Sequence, residues 1–441
     1  MRYKRLRDMN LVILCAFSLV FCPVERVLNA APTPESQEGI ESANGLRFAA
    51  EPETEEPAGE TGALDSVMID VTKDVLSEPI SMTEPVNGEA AQYPRVSANA
   101  AVLMDVNSGQ ICYERAAHTQ RPPASTTKIM TAVLAIESEL MDSVVTVSEK
   151  AAGTGEASLH LEAGQKVLLR ELVEGALVRS GNDACVAIAE AVAGDVDFFV
   201  RDMNRKAAVL GAVNTRFMNP NGLPNPDHVS TAYDLALMAR YALQNPVFAK
   251  FVNESRGQFE SVEPRKSVDI KNTNKLLDSY PIADGVKTGT TSAAGKCLVA
   301  SATKDGRRLI CVVLDAPDRY GDCQRLLEWG FNNTETIGLG KKGDVIVKQT
   351  VGNTEVPFTL TADAHVLVKE GEAEKLTFTT VFPPDMTSVR QGEMVGSYVV
   401  CIGEKEVFRC GLLAGADADA PKANSRFKEG FGSMMRRLRG L

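Results

Sequence analysis

Histidine and tryptophan are scarce in this chain, with four and one among 441 residues. His118, His160, His228 and His365 stand at no metal-ligand spacing from one another, so no metal site is expected, and nothing calls for a cofactor. A Gly-x-Ser-x-Gly elbow is missing, which removes the hydrolases that rely on a Ser-His-Asp triad. Basic residues are outnumbered: 47 Lys and Arg against 58 Asp and Glu give a formal net charge of -11. Phosphate contact needs clustered cations, and here they gather only at the two ends, so no nucleic-acid partner is expected. No apolar run reaches the roughly 20 residues of a membrane-spanning helix.

The ends are distinctive. Residues 1–30 combine a basic start (Arg2, Lys4, Arg5, Arg7) with an apolar run from Leu11 to Cys22 and small residues at Ala30 and Ala31, the pattern of a secretory signal peptide. Residues 31–95 are acidic, rich in Pro, Ala, Ser and Gly and without apolar period, and read as a disordered linker. In the tail, 416–441, Phe427, Phe431, Met434, Met435, Leu438 and Leu441 recur at helical steps between Lys428, Arg436, Arg437 and Arg439. An anionic membrane surface is the expected partner of such a face, ahead of docking on the protein itself. The chain is therefore expected to be exported and peripheral on the outer face of the cytoplasmic membrane.

Between the ends, two folded regions are expected. Residues 96–340 begin with a hairpin turning at Asn107-Ser108-Gly109. Helical patterns follow over Thr126–Leu140, Leu168–Val192 with a break near Ser180, Phe198–Leu210 and Thr231–Leu243. Strands return at Gly295–Thr303 and Arg308–Leu314, before a helix around Cys323–Trp329. Strands at both ends with helices between predict a mixed α/β fold, an antiparallel sheet carrying a helical insertion. Residues 341–415 alternate at strand period (Val345 and Val347, Val366 and Val368, Tyr398 and Val400) and predict a small all-β domain. Once Cys15 and Cys22 leave with the signal, the remaining cysteines form no disulfide framework. Cys297 with Cys311, and Cys401 with Cys410, are candidate pairs if they face each other; most cysteines read as small buried hydrophobes.

Chemistry is concentrated in three short segments. Ser125 precedes Lys128 by three residues at a helix start, behind Pro122 and Pro123, so one turn places both side chains on one face. A lysine of ordinary pKa, about 10.4, is a poor base at neutral pH. Lowering it by roughly three units takes about 4 kcal/mol, which burial and a second nearby cation can supply. The spacing alone is weak, for it recurs at Ser301 and Lys304 and at Ser425 and Lys428. The ordered set carries the weight: Ser125 and Lys128, then Ser180-Gly181-Asn182, then Lys287-Thr288-Gly289 opening a strand. Together these suit acyl transfer. Ser125 attacks and Lys128 takes its proton. Ser180 relays that proton to the leaving amine, Asn182 holds the substrate amide, Lys287 and Thr288 bind a substrate carboxylate, and Gly289 lets the backbone come close.

These segments, read as Ser125-Thr126-Thr127-Lys128, Ser180-Gly181-Asn182-Asp183 and Lys287-Thr288-Gly289-Thr290, resemble the active-site motifs of the low-molecular-mass penicillin-binding proteins. Those are the D-alanyl-D-alanine carboxypeptidases of serine peptidase family S11. The resemblance runs from about Val96 to Phe331, and the β domain and tail match the family's layout. It implies a β-lactamase/transpeptidase-like fold, a peptidoglycan stem peptide as substrate, and covalent inhibition by penicillin and other β-lactams. It also implies an oxyanion hole from the N–H groups of Ser125 and Thr290, with Lys287 as the second cation near Lys128. A serine β-lactamase, an endopeptidase acting on cross-links and a non-catalytic peptidoglycan-binding protein are the alternatives left open.

Overall fold

The computed structural model describes residues 93–420, so the expected signal peptide, most of the acidic linker and the basic tail from residue 421 lie outside the described residues. Tyr93, placed by sequence in the linker, packs its ring against Tyr113 and Trp329, with centroids 5.9 and 5.1 Å away.

The chain opens with β1 (Ala100–Asp105) and β2 (Ile111–Arg115), joined by the expected turn. Gly109 takes a φ of 72° there, and Asp105 Oδ1 accepts from the N–H and hydroxyl of Ser108, both at 2.8 Å. A single 3-10 turn, Ala124–Thr127, runs into α1 (Lys128–Glu137). Next come β3 (Val144–Thr146), α2 (Glu149–Ala152), β4 (Lys166–Leu168), α3 (Leu169–Val178), α4 (Asn182–Ala193), α5 (Val196–Val209), α6 (Ala232–Ala242) and α7 (Pro246–Asn253). The hairpin β5 (Arg256–Ser261) and β6 (Lys266–Lys271) and the short α8 (Leu276–Ser279) lead to β7 (Ala283–Thr291), β8 (Gly295–Lys304), β9 (Arg307–Leu314) and α9 (Arg319–Asn333).

The main sheet has the order β2-β1-β9-β8-β7, antiparallel throughout, which leaves β7 as an open edge. Side chains alternate across it with the strand period of two. Ala100, Val102 and Met104 of β1, with Ile310 and Val312 of β9, join the core of the helical insertion. Ala101, Leu103, Cys311 and Val313 face the other way, onto Cys323, Leu326 and Leu327 of α9. α1 lies within the helical core, with Ile129, Met130, Ala132 and Ala135 fully buried, and its first residue, Lys128, is buried with them.

Several elements depart from the sequence reading. α7 is only eight residues long, too short for a periodic signal, and is set by Asn245, whose Oδ1 accepts from the N–H of Val247 at 2.9 Å, with Pro246 in the first turn. The β5–β6 hairpin is exposed along most of its length, so it carries no apolar alternation. α9 starts four residues before Cys323, where Asp318 caps a polar first turn. All seven described cysteines are free, and neither candidate pair faces. Cys311 is in register with Ala300, while Cys297 pairs with Gly289 and lies in the core on the opposite side of the sheet. Cys410 is in register with Tyr398, and Cys401 with Glu406.

The chain then becomes all β: β10 (Thr334–Gly340), β11 (Val345–Val351), β12 (Thr354–Leu360), β13 (Ala364–Lys369), β14 (Leu376–Val381), β15 (Met394–Ile402) and β16 (Lys405–Ala414). A sheet of order β11-β12-β16-β15-β14 and the ribbon β10–β13 enclose a separate core around Phe358, Leu360, Val366, Val368, Val400 and Leu412. Gln110, in the first hairpin turn, joins this region to the main sheet. Its Nε2 donates to Val407 O and its Oε1 accepts from Leu367 N–H, both at 2.6 Å.

Candidate active site

Ser125 sits in a turn whose shape is imposed by its neighbours. Ala124, a residue with a side chain, takes a φ of 49°, a conformation costing about 1–2 kcal/mol. Thr126 Oγ1 donates to Pro123 O at 2.7 Å and Thr127 Oγ1 to Ala124 O at 2.8 Å, offsetting that cost. Gly222, at a φ of 85°, packs under the same carbonyl; a Cβ there would lie 1.9 Å from Ala124 O. His228 completes the support. Its Nδ1 accepts from Met218 N–H at 3.2 Å, which leaves Nε2 protonated and donating to Thr127 Oγ1 at 2.9 Å. Burial lowers the imidazole to about 4, consistent with this neutral tautomer. Within the turn Ala124, Thr126 and Thr127 are buried, whereas Ser125 keeps partial exposure.

Lys128 Nζ lies 2.9 Å from Ser125 Oγ, 2.7 Å from Asn182 Oδ1 and 2.6 Å from Asn221 O. An ammonium donates to all three. A neutral amine keeps its two protons on Asn182 and Asn221, which can only accept, and turns its lone pair to the Ser125 hydroxyl. Burial pushes the Lys128 ammonium below the ordinary lysine range, against the smaller upward pull of Cys185, Asp183 and Glu156.

The expected break falls between α3 and α4. Ser180 is buried at a φ of 69°, Gly181 caps α4, and Asn182 begins it. Asn182 also holds the loop after α2, its side-chain amide donating to Gly155 O at 2.9 Å and its backbone N–H to Ala157 O at 2.7 Å. Asp183 fastens the same loop, accepting from Ser158 Oγ at 2.6 Å, Leu159 N–H at 2.9 Å and Leu161 N–H at 3.1 Å.

Edge strand β7 supplies the opposite wall. A Cβ on Gly289 would lie 3.0 Å from Pro123 O, Ala124 Cβ and Ser125 N, so only glycine lets the strand meet the turn that carries Ser125. Lys287 is buried with Nζ 3.1 Å from Thr288 O, and Thr288 Oγ1 is 2.6 Å from Thr273 Oγ1. Thr290 Oγ1 donates to Gly289 O at 2.7 Å and accepts from Arg319 Nη1 at 2.8 Å. That guanidinium also donates to Gly289 O at 3.0 Å, while its Nε is buried without a partner. Lys287 is held well below the ordinary lysine range, first by burial and then by the charge of Lys128, with Arg319 adding to the effect. Burial lowers both amines, and the repulsion between the two, which is mutual, disfavours charging them together.

The geometry therefore joins Ser125, Lys128 and Asn182 by hydrogen bonds, and sets Lys287, Thr288, Gly289 and Thr290 along the facing strand. The sequence reading missed Asn221, Gly222, Thr273 and Arg319. Asn219-Pro220-Asn221-Gly222 was legible as a turn, but nothing local tied it to a lysine 93 positions earlier. Ser301 and Lys304, which share the spacing of Ser125 and Lys128, do not meet. Ser301 is buried in β8 with Oγ on Asp284 Oδ1 at 2.6 Å, and Lys304 is exposed at the strand end.

A serine beside a buried lysine, on a helical insertion facing an antiparallel edge strand, defines a serine acyl-transfer enzyme of the penicillin-binding type. The comparisons with known proteins narrow this. The family Peptidase S11, described as D-alanyl-D-alanine carboxypeptidase, matches residues 87–318, and the chain belongs to that family. It is 36% identical over 321 residues to the D-alanyl-D-alanine carboxypeptidase DacF of Bacillus subtilis, covering 69% of this chain and 81% of the relative. It is 35% identical over 329 residues to DacC of Escherichia coli, covering 70% and 81%. Among solved structures, penicillin binding protein 5 from Haemophilus influenzae superposes with a TM-score of 0.68 at 31% identity, covering 74% of this chain and 98% of that one. The carboxypeptidase DacD from Francisella tularensis gives 0.58 at 28% identity, covering 77% and 97%.

Proposed function

We propose that this protein is an exported serine D-alanyl-D-alanine carboxypeptidase that removes the terminal D-alanine from peptidoglycan stem peptides through an acyl-enzyme on Ser125. The observation that carries this reading is the environment of Lys128: buried, 2.9 Å from Ser125 Oγ, with its other contacts met by two obligate acceptors. The substrate lies along the open edge of β7, its backbone adding a strand. Its terminal carboxylate meets Lys287, Thr288 and the spare Nε donor of Arg319.

That carboxylate also sets the protons. In the empty site two buried amines resist being charged together, and the acids near Lys128 favour the proton there. An anion beside Lys287 draws the charge to Lys287, leaving Lys128 neutral as substrate arrives. Lys128 then accepts the Ser125 proton while Oγ attacks the penultimate carbonyl, and the oxyanion is held by the N–H groups of Ser125 and Thr290. As the C–N bond breaks, the proton passes through Ser180 to the leaving amine, and Asn182 holds the acyl chain's amide. Water gives a proton to Lys128 as its oxygen bonds to the acyl carbon; the bond from that carbon to Ser125 Oγ then breaks, Lys128 returns the proton to Oγ, and the shortened peptide leaves. Penicillin acylates Ser125 in the same way, with a leaving group that stays tethered.

The substrate places the enzyme outside the cytoplasmic membrane, with residues 416–441 as a peripheral anchor and residues 1–30 as the export signal. No helix among the described residues is long and apolar enough to cross a bilayer. The test is release of D-alanine from a pentapeptide stem by the wild-type protein and its loss in Ser125→Ala. Rapid turnover of penicillin with no release of D-alanine would instead mark a β-lactamase.

A further inference from the structure

The proposed carboxylate site draws its donors from separate elements, Lys287 and Thr288 on β7 and Arg319 on α9. One residue stands behind both elements. Thr273 lies in the short connection between β6 and α8, with its hydroxyl 2.6 Å from that of Thr288. Neither hydroxyl has another hydrogen-bond partner among the described residues. The carbonyl of Thr273 accepts from Tyr320 Oη at 3.1 Å, and Tyr320 Oη accepts in turn from Arg319 Nη2 at 3.3 Å. The N–H of Thr273 donates to Val178 O at 3.1 Å, at the end of α3 and just before Ser180.

The connection that carries Thr273 is fastened on both sides by buried asparagines. Asn272 donates through its side-chain amide to Glu254 O and through its N–H to Ser255 O, both at 2.9 Å, and its Oδ1 accepts from Asn274 N–H at 2.9 Å. Asn274 Nδ2 donates to Gly285 O of β7 at 2.9 Å. Thr273 is thus a hydroxyl on a rigid frame, aimed at Thr288. A threonine hydroxyl has a single proton to give and lone pairs to accept with. If Thr288 donates to Thr273, that proton is spent inside the protein and an incoming carboxylate meets a lone pair. If Thr273 donates, the proton of Thr288 is free for the carboxylate. The anion favours the second arrangement, and polarisation along the chain of hydroxyls strengthens the outer bond. We infer that Thr273 is a positioning residue of the carboxylate site: its hydroxyl donates to Thr288 Oγ1 and commits the proton of Thr288 to the substrate. This rests on the carboxypeptidase reading. Thr273 acts through Thr288 and leaves the chemistry to Ser125 and Lys128.

The experiment is a double-substitution cycle on the release of D-alanine from Nα,Nε-diacetyl-L-lysyl-D-alanyl-D-alanine. Thr273→Val keeps the branched shape and both backbone contacts and removes the hydroxyl. It should raise KM about tenfold, the scale of one hydrogen bond to a charged group, and leave kcat within about twofold. Thr273→Ala removes the same hydroxyl without a branched side chain and should match it. Thr273→Ser returns the donor and should bring KM to within about twofold of wild type. In a Thr288→Val background the group being aimed is gone, so adding Thr273→Val should change KM by less than about twofold. An unchanged KM in Thr273→Val and Thr273→Ala overturns the assignment. So does a loss that Thr273→Ser fails to restore, or a pair of losses that multiply in the double variant, either of which marks a role in packing. Each of these leaves the carboxypeptidase reading standing while the wild type releases D-alanine. No release by the wild type overturns both.

Discussion

Ser125 with Lys128 and Ser301 with Lys304 share one spacing and little else. In the first pair the residues sit where a 3-10 turn becomes a buried helix, and three residues of helix bring Nζ to 2.9 Å from Oγ. In the second they lie along β8, where successive side chains alternate between faces; Ser301 turns to Asp284 and Lys304 ends exposed at the edge of a turn. Burial marks the difference as strongly as distance. Lys128 loses its water and gains three oxygen neighbours, whereas Lys304 stays in solvent. A motif of spacing becomes a motif of chemistry only when the backbone between the two residues curls and the core closes over the base.

The largest expected effect breaks the comparison at the base. Lys128→Ala should slow acylation by a fluorescent penicillin roughly a thousandfold, the usual range of a general base, while Lys304→Ala should leave the rate within about twofold. Equal rates in Lys128→Ala and wild type would make the two lysines equivalent and remove the distinction. The pH profile carries the same contrast. Because burial lowers Lys128, acylation should rise with pH along a limb lying below the ordinary lysine range and be lost as that amine protonates.

A second effect concerns the scaffold of the turn. His228 is neutral when folded, with its pKa lowered from 6.5 to about 4. As pH falls below 6.5 the unfolded chain takes up a proton that the folded chain resists. Stability should therefore decline by about 3 kcal/mol between pH 6.5 and 4 and no further on this account. Urea denaturation across that range, with His228→Gln as the non-titrating control, measures it. A slope shared by wild type and control would exclude His228 as its source.

Smaller effects sharpen the comparison at its margins. Arg319→Leu should raise KM about tenfold for a peptide with a free terminal carboxylate and change little for its C-terminal amide. That loss corresponds to one charge-assisted hydrogen bond. Ser301→Ala should cost about 1 kcal/mol in urea denaturation, for a buried hydroxyl lost from Asp284, with the acylation rate unchanged. If Ser301→Ala slowed acylation as Ser125→Ala does, the strand serine would belong to the site.

How far the sequence could be read follows from the same physics. The meeting of Ser125, Lys128 and Asn182 beside the β7 segment was legible because each motif is local and the proposed chemistry demands its residue types. The break near Ser180 was legible because a Ser-Gly-Asn interruption ends one helical period and starts another. Asn221 was not, since it serves through its backbone carbonyl, which any residue offers. Arg319 was not, because it reaches β7 from a helix 30 residues downstream of Gly289. The β5–β6 hairpin was missed because an exposed hairpin lacks alternation, and the cysteine pairs failed because register decides which residues face.

The central claim is that Ser125 alone receives the acyl group because Lys128 alone can take its proton. The most direct measurement is peptide mass spectrometry after brief exposure to penicillin. One added penicilloyl mass on the peptide containing Ser125, and none in Ser125→Ala, is the expected result. The mass on the peptide containing Ser301, or no covalent mass anywhere, would contradict it.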